Sequence, residues 1–158
     1  MKFTMKAALT CGTLDGANIE IPEEVGEENF FLFGMNAQEV RELRAAGYDP
    51  MDYILRSEQL RGAIDLIASG FFAPEDPSRF HPIANDLRAN DTYLLCADFD
   101  DYVRSQKEVG RTYQDTEAWM DQVIENLARV GKFSSDRTIS QYAEEIWQIA
   151  PVKVEIQP

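Results

Sequence analysis

The 158 residues suffice for one domain of ordinary size, and 44% hydrophobic with 27% charged residues is a soluble, globular mixture and not a disordered one. A net charge of −13 and a pI near 4.4, with the fifteen Lys and Arg scattered, exclude nucleic acid and anionic membrane surfaces as partners. The longest charge-free apolar stretch, Leu66 to Pro74, is far shorter than the roughly 20 residues of a membrane helix, and no hydrophobic signal region opens the chain, so a cytoplasmic location is expected.

From the start, Met1-Lys2-Phe3 opens a helical-looking segment with a lysine at position 2. Leu9–Gly12 reads as a first short strand, and Gly12-Thr13-Leu14-Asp15-Gly16 as a tight strand-to-helix turn, since it lacks Gly-x-Gly-x-x-Gly spacing. The acidic run Glu20–Glu28 reads as a solvated face, and Phe30–Phe33 as a second strand. Asn36, with Glu39 three residues later, caps a helix that Gly47 ends. Asp49-Pro50 starts another. Ser57 starts a third, with Leu60, Ala63, Ile64 and Ile67 on one apolar face and Gly70 as its stop. Phe72–Pro82, with three prolines, reads as a loop containing the lone His81, to which no chemical role is assigned. Tyr93–Cys96 is a third continuous apolar run, of the kind that suits a parallel strand covered on both faces.

The remainder reads as helical. Asp98, with Asp100 and Asp101 beside it, is expected to cap a helix from Phe99 to about Val109 in preference to holding a hard metal. Asp115 caps the next, with Trp119, Val123, Leu127 and Val130 along one side and Gly131 as terminator. Ser134 or Ser135 caps a final helix carrying Ile139, Tyr142, Ala143, Ile146 and Trp147, with Arg137 ion-paired and Pro151 as its end. Cys11 and Cys96 read as small buried residues on strands; no metal-ligand spacing accompanies them. The fold class is therefore α/β, with about three short parallel strands and a large helical C-terminal portion. One domain is expected, divided into an α/β part (1–97), a helical part (98–150) and a tail (151–158), its open sheet edges needing cover.

A set of blocks in one order carries a resemblance: Met1-Lys2-Phe3, Ala8-Leu9-Thr10, Gly12-Thr13-Leu14-Asp15-Gly16-Ala17-Asn18, Glu27-Glu28-Asn29 with Phe33-Gly34, Ser69-Gly70-Phe71-Phe72, Ala97-Asp98-Phe99, and Gly131-Lys132-Phe133-Ser134-Ser135-Asp136-Arg137-Thr138 leading to Tyr142-Ala143-Glu144-Glu145-Ile146-Trp147. The chain resembles the C-terminal part of the glycogen (α-glucan) phosphorylases from Met1 to about Pro151. That resemblance implies a partial Rossmann-like domain of a two-domain glycosyltransferase fold. It also implies a pyridoxal phosphate cofactor and reversible phosphorolysis of α-1,4-glucan to glucose 1-phosphate, with α-glucan and inorganic phosphate as substrates. Lys2 matches the lysine that forms the Schiff base with the cofactor. Lys6 and Ala7 stand where family members commonly carry Asn-Gly, and Lys6 would lie one helical turn from Lys2 on the same face.

The family's Ser-Gly-Thr-Gly-Asn stretch before the lysine is not part of the sequence, nor are the basic residues that hold its phosphates. The expectation is a truncated domain that is inactive by itself. The alternatives are a non-catalytic module that self-associates or complements the rest of the enzyme, and an independent small-molecule binder.

Overall fold

The computed structural model describes residues 2–150 and 152; Met1, the predicted helix stop Pro151 and the rest of the predicted tail, 153–158, lie outside the described residues. Two parallel strands, β1 (Thr10–Gly12) and β2 (Phe30–Leu32), pair in the register Thr10 with Phe30, Cys11 with Phe31 and Gly12 with Leu32. Around them lie α1 (Ala17–Val25), α2 (Ala37–Ala46), α3 (Pro50–Arg56), α4 (Glu58–Ala68), α5 (His81–Ala89), α6 (Leu95–Gln114), α7 (Thr116–Arg129) and α8 (Ser135–Gln141), the last running into a π-helical stretch, Tyr142–Trp147.

The strand expected at Tyr93–Cys96 is instead a turn at Tyr93 that leads through Leu94, in the left-handed region, into the first residues of α6, Leu95 and Cys96. The carboxylate of Asp91 accepts the amides of Leu95 (2.9 Å) and Cys96 (2.8 Å), two of the donors that a helix start leaves unpaired. Cys96 is thus buried in a helix, whereas Cys11 lies half-buried on β1. The opening segment is also not an α-helix. Thr4–Lys6 make a single 3-10 turn that ends at Ala7 in the left-handed region, so Lys2 and Lys6 do not share a helix face. His81 is the first residue of α5, not a loop residue, and its Nε2 lies 3.0 Å from the Ala68 carbonyl.

Other boundaries shift less. On α4 the buried face is Leu60 and Ile64 with Ile67 and Ala68 partly covered, while Ala63 is exposed. Beyond α7 the chain continues through Gly131 in a 3-10 turn, Val130–Phe133. The final helix stops at Gln148, a left-handed residue three positions before Pro151. Ser134 caps α8, but Arg137 donates to the Lys132 carbonyl and the Gln141 amide oxygen and, among the described residues, to no carboxylate.

The interior has two parts. Ile54, Leu60, Ile64, Ala84 and Cys96 join α3 to α6, with Phe99 packed against them. Ile21, Val25 and Phe30 join α1 to β2, with Phe133 alongside. The acidic residues of α1 accordingly face outward while Ile21 and Val25 face in.

Candidate functional site

A parallel sheet presents the ends of its strands to whatever follows them, and ligands bind such sheets beyond the carboxyl ends. Here Thr13 and Asp15 follow β1, and Phe33, Gly34 and Met35 follow β2. The intervening turn is the strand-to-helix elbow expected: Asn18 Nδ2 donates to the Thr13 carbonyl (3.0 Å), and Gly16 takes φ +49° before α1 begins.

The segment after β2 is held by α6. Asp98 accepts the Met35 amide (3.0 Å), and Asp101 accepts the Gly34 amide (2.7 Å). Arg104 binds Asp101 (2.6 Å) and also donates to the Leu32 carbonyl (3.1 Å). Asp100 accepts the Ser57 hydroxyl (2.7 Å). The three carboxylates expected to cap a helix therefore fasten α6 to its neighbours, and the cap itself belongs to Asp91. Gly34, at φ +77°, has room for no side chain: a Cβ there would stand 2.9 Å from the Asp98 carboxyl and 3.0 Å from the Thr13 methyl.

These contacts leave a cleft of about 490 Å³ lined by Thr13, Asp15, Phe33, Met35, Val40, Tyr93, Leu95, Asp98, Phe99 and Tyr102. Phe33 and Tyr102 meet edge to face, ring centroids 5.1 Å apart. Burial pushes the Asp98 carboxyl above the usual carboxylate range; the Met35 amide opposes this, and Asp101, Asp91 and Glu39 add to it. Asp101 is held below that range, chiefly by its hydrogen bond to Arg104.

A second polar centre lies beneath. Asp91, itself buried, also accepts the Tyr48 hydroxyl at 2.5 Å. Burial and the Asp91 carboxylate raise the Tyr48 phenol, and burial, with Asp91 second, pushes the Cys96 thiol up to about 12. A thiol so shifted stays protonated and is a poor nucleophile.

Lys2 is exposed beside the turn of Thr4–Lys6 and lines neither this cleft nor the shallower one along α6 at Lys107 and Arg111. No group of three or more His, Cys, Asp or Glu is placed to hold a metal among the described residues. Of the residues marked in the sequence, Asp98 reaches the cleft, whereas Lys2, His81 and the two cysteines do not. Thr13, Asp15, Phe33, Tyr93, Leu95 and Phe99 read in the sequence only as turn, strand or resemblance residues and not as site residues, although those that directly follow a strand are open to the strand-end rule.

The sequence is similar to known proteins along almost its whole length. The family model described as Carbohydrate phosphorylase matches residues 1–149. The chain is 54% identical over 157 residues to a glycogen phosphorylase of Synechocystis, covering 99% of this chain and 18% of that protein. It is 46% identical over 158 residues to the brain-form glycogen phosphorylase of Mus musculus, covering 100% and 19%. Against the muscle form of Homo sapiens it is 48% identical over 151 residues, covering 96% and 18%. The chain thus spans less than a fifth of the length of these relatives.

Proposed function

The chain belongs to the carbohydrate phosphorylase family, and on that premise we propose that it is the cofactor-lysine part of an α-glucan phosphorylase, inactive by itself. The likeness along residues 1–149 carries this reading. In it, β1 and β2 belong to a Rossmann-like sheet completed by other segments of the enzyme, α-1,4-glucan and phosphate are the substrates, and Lys2 is the covalent anchor for pyridoxal phosphate.

The described residues alone do not fit that cofactor. Lys2 is exposed, and a phosphate group needs converging N–H groups and cations, whereas the cleft at the strand ends is lined by Asp15 and Asp98. An amine this open to water lacks the desolvated pocket that activates a catalytic lysine. Exposed Ile139, Ile146 and Trp147 on the last helical segment also suit a part that packs against more protein.

The test is a graft. Residues 1–149 replace the matching segment of the Synechocystis relative, and release of glucose 1-phosphate from glycogen and phosphate is measured. The graft is expected to be active and its Lys2→Ala variant inactive. A folded graft without activity, full activity in Lys2→Ala, or turnover by the 158-residue chain alone overturns the reading.

A further inference from the structure

We propose that the cleft beyond β1 and β2 is a binding site for a small organic ammonium ion. Four aromatic rings, Phe33, Tyr93, Phe99 and Tyr102, line it together with two carboxylates, Asp15 and Asp98. None of its ten lining residues is Lys, Arg or His. Ring faces attract a cation through their quadrupole, and they do so more strongly where water is displaced. The carboxylates supply net charge of the opposite sign, and the chain's −13 raises the local concentration of cations.

Other ligand classes fit poorly. An anion would meet Asp15 and Asp98 with no cation to offset them. A hard metal ion needs six or more oxygens, and the walls are mostly apolar. A sugar is read by fixed pairs of donors and acceptors; here no amide or guanidinium side chain lines the walls.

The cleft is also built in advance. Asp98 and Asp101 hold the Met35 and Gly34 amides, and the Phe33–Tyr102 contact fixes one wall, so little ordering remains to be done on binding. Leu94 stands at φ +58° between Tyr93 and Leu95, two lining residues. A bulky residue in the left-handed region is strained, and the neighbouring Tyr93, 81% exposed, lines the cleft.

Calorimetry on the full chain tests this with choline, its uncharged isostere 3,3-dimethyl-1-butanol, and maltose. Choline should saturate at millimolar concentration and bind at least about tenfold tighter than the isostere, with maltose silent. Asp15→Asn and Tyr93→Ala, both at exposed positions, should each weaken choline by about fivefold or more with the melting transition unchanged. Equal binding of the isostere, saturable maltose binding, unaltered choline affinity in both variants, or no saturation by choline overturns the proposal. The outcome is independent of whether the grafted enzyme phosphorolyses glucan.

Discussion

Ala7 holds φ 70° and ψ 13°, and its amide donates to the Thr4 carbonyl to close the turn after Lys2. A Cβ in the left-handed region costs about 1–2 kcal/mol that glycine avoids, and part of the gain is returned as unfolded-chain entropy. Ala7→Gly should therefore raise the unfolding free energy by about 1 kcal/mol in urea titrations; a loss of stability would show that the turn is not formed as described. Unlike Ala7, Lys6 is exposed and not on a shared helical face with Lys2, so its charge acts through solvent. The departure at Lys6 and Ala7 was visible in the sequence. Its physical cost was not, because that cost depends on a dihedral angle set by the turn.

At the scale of elements, the segment after β2 is joined to α6 by two carboxylates, Asp98 and Asp101, whose proton affinities are shifted in opposite directions. Asp101 is held low by Arg104, so its contribution is complete above the unfolded carboxylate pKa of about 3.9 and is lost as pH falls through its lower folded value. Asp98 is raised by burial, so its contribution is present at low pH and fades as pH rises through its folded value. Asp101→Asn should thus be less stable than the parent at neutral pH, the gap closing in thermal melts as pH falls below about 4 and through the lowered Asp101 value. Asp98→Asn should show no such closing on acidification. A gap for Asp101→Asn that does not depend on pH would contradict the ion-pair clamp.

Elements with a local signal were legible. The capping box of Asn36 and Glu39 forms with both bonds made, and Asp49, Ser57, Asp115 and Ser134 each accept an amide of the following helix. Tyr93–Cys96 misled because four apolar residues fit a buried strand and a buried helix start equally well. What decides between them is Asp91, whose carboxylate is turned onto the next helix by a backbone at φ +35°. The Asp98–Asp101 cluster misled for a related reason: acids near a helix start usually serve that start, but here they reach residues 43 to 67 positions away.

For the whole molecule, kinship was legible because ordered blocks run the length of the chain, and the comparisons over residues 1–149 agree with it. The cleft was not, because its walls come from the ends of two strands, α2 and the start of α6, segments brought together only by folding. Two small interiors, a two-stranded sheet and a surface that leaves Phe3, Phe71, Ile146 and Trp147 exposed describe a piece suited to a larger body. The sheet also explains why Lys2 is exposed: it precedes β1 by eight residues and rests on one 3-10 turn rather than inside either interior. In the proposed function, Lys2 within the whole enzyme is the residue to which pyridoxal phosphate would attach. After incubation with the cofactor and borohydride reduction, peptide mapping of the grafted enzyme should place the pyridoxyl label on Lys2, while the free chain shows no saturable label there. A graft labelled at another lysine, or a free chain labelled stoichiometrically at Lys2, would contradict it.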